Sequence, residues 1–147
     1  MMSAIYWAED KLSQHLQSAK AYGEFSNFYD NYMAHVNYDQ WAAKINVWTD
    51  QFSKHSPKRI FEIACGTGEI TKRLVKQGRE VMGGDISDIM LHIAAKKSND
   101  ITFFRHDMLD SLPTTDIDLA VCVFDSINYL LEDNLILNLF KKRGRVK

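Results

Sequence analysis

Five residues in this chain have types and spacings suited to holding a nucleotide-like ligand: Glu62, Gly66, Gly68, Asp85 and Asp107. Glu62 lies near the end of the β-branched and aromatic run Arg59-Ile60-Phe61-Glu62-Ile63. The segment Ala64-Cys65-Gly66-Thr67-Gly68 follows, and a helical pattern starts at Glu69. That order is strand, tight loop and helix start, where bare backbone N–H groups can approach a ligand. Glycine suits such a loop because a Cβ would block close approach or forbid a turn with positive φ. Asp85 closes a second strand-like run roughly 20 residues beyond Glu62, the spacing at which a doubly wound sheet offers an acid to ribose hydroxyls. A carboxylate fits that task because it accepts from two vicinal hydroxyls at once. Asp107 closes a third run, at Ile101-Thr102-Phe103-Phe104-Arg105-His106-Asp107, and can accept from an exocyclic amine such as that of adenine. For each of these acids the plainer role is capping the next helix or pairing with Lys or Arg.

The elements that must position these groups alternate strand and helix. Strand-like runs are expected at Arg59 to Ile63, Arg79 to Asp85, Ile101 to Asp107 and Ile117 to Phe124. Pro57 and Pro113 each stand before one of them, where proline disfavours helix in the residue it follows. Between the first two runs, Glu69 to Gln77 reads as a helix with Ile70, Leu74 and Val75 inward and Gly78 at its C′ position. Ser87 is placed to cap a helix reaching Lys97. The four strand ends then gather along the carboxyl edge of a parallel sheet, where open α/β folds bind ligands. Upstream, residues 3 to 55 read as helical. Leu12, Leu16 and Ala19 form one apolar stripe, and Phe25, Phe28, Tyr29, Tyr32, Met33 and Val36 form a second at helical spacing. Trp41, Ile45, Trp48 and Phe52 form a third, expected to face inward.

Taken together, Glu62-x-Ala-Cys-Gly-Thr-Gly68, Gly84-Asp85-Ile86-Ser87 with Met90-Leu91, His106-Asp107-Met108 and Phe124-Asp125-Ser126-Ile127-Asn128-Tyr129-Leu130 resemble the class I S-adenosylmethionine-dependent methyltransferases. Within them the chain is most similar to the bacterial small-molecule branch with a type-11/type-25 methyltransferase domain. Phe28-Tyr29-Asp30-x-Tyr32-Met33 and Tyr38-Asp39-x-Trp41-Ala42 resemble that branch's N-terminal cap. The match runs from about Phe25 to Phe140.

The resemblance implies an α/β Rossmann-like fold with a doubly wound parallel sheet of strand order 3-2-1-4. A helical cap or lid is expected over residues 1–55 and a partial cofactor-binding core over 56–147, as one structural unit. The cofactor it implies is S-adenosyl-L-methionine. Ala64, Cys65, Gly66 and Gly68 would line it through backbone, and Glu62 would reach its amino group. Asp85 would take its ribose, and Ile86 and Met90 would form an apolar slot for adenine. Asp107 and Met108 would meet the exocyclic amine, with Tyr29, Trp41 and Phe124 at the charged end. Ala64 stands where the family's first glycine usually lies, which calls for a strand-like φ there. The family sheet has seven strands and this sequence carries four, so strands five to seven are expected to be missing through a C-terminal truncation. Strand four would then be an open edge able to pair with a second copy in a homodimer.

Composition fits a single domain. The 147 residues are 46% apolar and 25% charged with a net charge of −1, which gives no pull toward nucleic acid or an anionic membrane. The basic run from Lys141 reads as a solvated end. Met1 to Asp10 lacks the basic and apolar regions of a signal peptide, and no run approaches the roughly 18 apolar residues of a membrane span. A cytoplasmic location is expected. Cys65 and Cys122 read as reduced hydrophobes, the latter within the fourth strand. The five histidines have no ligand spacing, so no metal is expected, and His106 is expected to be partly exposed. The function implied is methyl transfer to a small-molecule acceptor, with no catalytic residue assigned. The alternatives are a truncated, inactive cofactor-binding module or, less favoured, a nicotinamide-dependent oxidoreductase, whose fingerprint wants a small residue where Thr71 stands.

Overall fold

A computed structural model of the chain describes residues 28–75 and 77–143. The stripe Leu12, Leu16 and Ala19 lies outside the described residues, as do Phe25 of the second stripe and the last part of the basic end. The chain falls into two compact units, Met1–His35 and Val36–Lys147. In the first, residues 28–32 are helical and Met33–His35 form a 3-10 turn. Phe28 and Tyr32 are exposed there, and the Tyr32 carbonyl lies 3.0 Å from the His35 ring nitrogen Nδ1.

The second unit is built on four parallel strands: β1 (Arg59–Ile63), β2 (Glu80–Asp85), β3 (Thr102–Arg105) and β4 (Leu119–Val121). Their order is β3-β2-β1-β4, the doubly wound pattern expected from the sequence. Helix α1 (Tyr38–Phe52) precedes the sheet, α2 (Glu69–Val75) joins β1 to β2, α3 (Asp88–Lys97) joins β2 to β3, and α4 (Asp133–Arg143) follows a 3-10 turn at Ser126–Tyr129. The caps act as their residue types dictate. The Asn37 side chain accepts from the Gln40 N–H at 2.9 Å, and the Ser87 hydroxyl accepts from the Met90 N–H at 3.4 Å. Gly78 takes a φ of +79 beyond the end of α2 and donates to the Val75 carbonyl.

Alternation along the strands splits the core in two. One face holds Ile60, Val81 and Val121 against Ala42 and Ile45 of α1 and Ile70 and Leu74 of α2. The other holds Phe61 and Ile63 with Ile117, flanked by Met82, Phe104, Met108, Leu112 and Ala120. Full burial of each large aliphatic is worth about 1.5–3 kcal/mol, so these two layers hold the strand ends in place. Gly83 and Gly84 are needed for packing. A Cβ on Gly83 would sit 2.7 Å from the Phe103 ring, and one on Gly84 would sit 2.7 Å from both Phe61 and His106.

Three expectations are corrected. α1 turns Ala42, Ile45 and Thr49 to the sheet, leaving Trp48 and Phe52 exposed, because its buried stripe is set by what β1 and α2 present. β4 ends at Val121, so Cys122 lies past the strand and is exposed. His106 is buried, with its ring edge-on to Phe61 at 4.9 Å. Among the described residues no helix is long and apolar enough to cross a membrane, and no group of His, Cys, Asp and Glu is placed to hold a metal ion.

Candidate functional site

The loop after β1 is locked by three bonds, two of them to the end of β2. The Cys65 N–H donates to the Gly84 carbonyl at 3.1 Å, carrying the pairing past the strand. The Gly68 N–H closes a turn onto the Cys65 carbonyl at 3.0 Å. The Gly66 N–H donates to Asp85 Oδ2 at 2.8 Å. Three successive even positions, Ala64, Gly66 and Gly68, have positive φ, at 55, 54 and 75 degrees. Ala64 therefore does not keep the strand-like φ expected of it. It is a residue with a Cβ in a left-handed conformation that costs about 1–2 kcal/mol, imposed by the Gly84 and Asp85 bonds to the two residues that follow. At Gly66 an added Cβ would meet nothing within 4 Å. That glycine therefore borders open space, and its φ of +54 is one that a side chain would strain. At Gly68 an added Cβ would lie 2.9 Å from Phe103, so this glycine serves helix packing.

Asp85 completes the bracket. Its Oδ1 accepts from the Ser87 N–H at 2.9 Å while Oδ2 holds Gly66. Burial pushes its pKa up, against backbone N–H groups of Ser87, Gly66 and Ile86 that favour the charged form. A carboxylate has about four lone-pair sites, so it can brace the loop and still accept from a ligand. Behind the loop lies Glu62, 2% exposed, which accepts a short hydrogen bond from the Thr71 hydroxyl. Burial raises its pKa from 4.5 to about 8; the Thr71 bonds oppose this and the charge of Asp85 adds to it. Cys65 is buried beside both acids, which raises its thiol far above the ordinary range and keeps it protonated.

Toward β3, the Asp107 carboxylate accepts from the Leu109 N–H at 2.9 Å, a local turn that fixes its direction at the strand end. Met108 is half-buried against the Phe61 face. Ile86 is half-buried at the end of β2, and Met90 is buried at 3% exposure, packed within α3. Tyr29 lies on the helical turn of the first unit.

Beyond β4 the chain reaches Phe124, whose φ of +61 is an outlier for a bulky residue. Its ring meets Trp41 edge-on at 5.3 Å and Tyr38 edge-on at 5.9 Å. Each such pair is worth about 0.5–1.5 kcal/mol, enough together to offset a backbone cost of about 1–3 kcal/mol. Sequence reasoning chose Trp41 and Phe124 and passed over Tyr38. The i, i+3 spacing of Tyr38 and Trp41 was the available signal, since it puts both rings on one side of α1. The structure thus brings Gly66, Asp85 and Glu62 together along the β1–β2 ends, sets Asp107 at the β3 end, and gathers Trp41 and Phe124 at the β4 end.

Residues 60–146 match the protein family described as "Methyltransferase domain". The candidate methyltransferase YqeM of Bacillus subtilis (strain 168) is 39% identical over 129 residues, which cover 85% of this chain and 50% of that protein. A dTDP-3-amino-3,6-dideoxy-alpha-D-glucopyranose N,N-dimethyltransferase of Streptomyces fradiae is 33% identical over 79 residues, covering 52% of this chain and 31% of that one. Among solved structures, an S-adenosylmethionine-dependent methyltransferase from Clostridium acetobutylicum ATCC 824 superposes with a TM-score of 0.69 and 25% identity, covering 83% of this chain and 51% of that chain. The chain spans about half the length of the curated relatives it matches.

Proposed function

Since this chain belongs to the methyltransferase-domain family, we propose that it binds S-adenosylmethionine along the carboxyl edge of its sheet and serves methyl transfer to a small-molecule acceptor. The observation that carries this reading is the open space above Gly66, bordered by the buried carboxylate of Asp85. A ribose laid there finds a hydroxyl acceptor and no obstructing side chain. When bound, the cofactor supplies a methyl group on a sulfonium centre, an activated position for in-line displacement. The chain's own share is binding, orientation and exclusion of water.

In this reading Asp85 accepts from the ribose hydroxyls, Gly66 leaves the ligand room beside the loop, Gly68 seats the loop by packing against Phe103, and Ile86 and Met90 flank the adenine. Asp107 takes the exocyclic amine, with Met108 beside it. Glu62, neutral near pH 7 with its pKa at about 8, lies behind the amino-acid end, where a cationic group would draw off its proton. Trp41 and Phe124 set aromatic rings at the β4 end, where a positive centre over a ring gains about 0.5–2 kcal/mol, as Lys44 Nζ does at 5.2 Å over Trp41.

The acceptor class we favour is an amine on a sugar, on the strength of the Streptomyces fradiae relative's name. A neutral amine carries its own lone pair, so the protein need only align it and let its proton pass to water. Calorimetric titration with S-adenosylhomocysteine tests the reading, followed by a turnover assay with a nucleotide-linked amino sugar. Micromolar binding is expected. Binding without turnover on any amine offered would make the chain a cofactor-binding module. A chain that takes NAD and ignores S-adenosylhomocysteine would be an oxidoreductase instead.

A further inference from the structure

Arg73, on α2, joins the two walls of the edge just described. Its Nε donates to Asp39 of α1 at 2.7 Å, and its Nη1 donates to the Glu69 carboxylate at 2.6 Å and the Glu69 carbonyl at 2.8 Å. Its guanidinium also stands 5.3 Å from the centre of the Tyr38 ring. Glu69 directly follows Gly68 and is itself pinned by Lys72 at 2.8 Å and by Lys97 of α3 at 2.9 Å. Burial alone would raise the Glu69 carboxyl, but hydrogen bonds from Lys72, Lys97 and Arg73 hold it down at about 2, so it stays charged. The loop exit is thus the fixed end of the linkage. The other end is α1, whose Tyr38 and Trp41 rings hold Phe124 in its left-handed conformation.

We infer that Arg73 is a positioning residue that sets the distance between the Gly66–Gly68 loop and the Tyr38–Trp41–Phe124 ring group. The inference rests on the functional reading above. It follows from geometry that a planar fork can serve: one guanidinium spans two carboxylates on different helices and lies over a ring of the second helix. Without that span, α1 keeps its Ala42 and Ile45 anchors but loses its tie at the ring end.

The consequence depends on ligand length. Adenosine needs only the loop, Asp85 and the groups at the β2 and β3 ends, whereas S-adenosylhomocysteine reaches from there toward the rings. Arg73→Met, which keeps the apolar stem, should weaken S-adenosylhomocysteine about fivefold and leave adenosine within about twofold, the scale of one charge-assisted link. The near-ultraviolet circular dichroism of the ring group should fall in the same variant. Arg73→Lys can meet only one carboxylate at a time and should recover part of both signals. Asp39→Asn carries the test if Arg73→Met does not fold, because the Asp39 side chain is 83% exposed and lies off the core; a smaller loss in the same direction is expected. Equal weakening of both ligands, or wild-type behaviour in both variants, overturns the inference. A wild-type chain that binds neither ligand overturns the functional reading first, and the role of Arg73 falls with it.

Discussion

Two aspartates at opposite ends of the sheet each collect two backbone N–H groups, yet their acidities move in opposite directions. At the carboxyl edge Asp85 accepts from Gly66 at 2.8 Å and Ser87 at 2.9 Å. At the amino edge one oxygen of Asp118 accepts from Lys58 and Arg59, both at 2.9 Å. Asp118 stands in solvent, so the bonds from Arg59 and Lys58 prevail and its pKa falls. Asp85 is 9% exposed, so burial prevails and its pKa rises. The amino edge is a clamp of exposed charges, completed by Arg59 reaching Glu80 at 3.2 Å and Asp116 at 3.1 Å. It fixes the register of β1 against its neighbours. The carboxyl edge spends stability instead: a costly carboxylate, a neutralised Glu62 and an alanine in a left-handed turn. Such unfavourable arrangements persist where a ligand will later supply the compensating contacts.

The largest effect that separates the two ends is on ligand affinity. Asp85→Ala should weaken S-adenosylhomocysteine at least about tenfold by calorimetry, the loss of two hydroxyl bonds to a buried charge, while Asp118→Ala leaves it unchanged. Equal losses in both variants would erase the distinction. The next effect is in pH dependence. Because Glu62 is raised from 4.5 to about 8 in the fold, its contribution is complete below 4.5 and is lost as pH rises through about 8. Melting temperatures of the wild type should therefore fall across that window by several degrees more than those of Glu62→Gln. Asp118 gives the opposite sign: its contribution is present above the ordinary carboxylate range and is lost as pH falls through its lowered value.

Asp118→Ala should cost about 1 kcal/mol in urea unfolding, since exposed bonds of this kind are worth little after screening. Smallest is Ala64→Gly. Relief of the left-handed backbone, about 1–2 kcal/mol, less the added chain entropy of about 0.5–1 kcal/mol, predicts a gain of roughly 0.5–1 kcal/mol. A loss of stability on that change would show that the methyl group packs usefully and that the carboxyl edge is less strained than its φ angles state.

Much of this was legible in the residues. The strand–glycine loop–helix order located the loop, strand-end acids located Asp85 and Asp107, and caps at Ser87 and Gly78 set helix limits, because each depends on neighbours within a few positions. What was not legible depended on distant partners. The φ of Ala64 is imposed by bonds from its neighbours to Gly84 and Asp85. The outward turn of Trp48 and Phe52 follows from the faces of β1 and α2, since helical periodicity fixes a stripe without saying which stripe is chosen. The burial of His106 follows from Gly84, whose missing side chain leaves room for it beneath Phe61. Tyr38 gave no signal beyond its i, i+3 spacing from Trp41, and Arg73 gave none, since their importance lies in reaching Phe124, Asp39 and Glu69.

From its sequence alone the chain determined a parallel doubly wound sheet and the acids that stand at its strand ends, because hydrophobic period and glycine placement act locally. Tertiary structure alone decided that burial raises the pKa of Glu62 and Asp85, which glycine faces open space and which faces a ring, and how α1 is tied to the loop. Those properties depend on solvent access and on contacts between residues far apart in the chain, and neither is written into any single stretch of it.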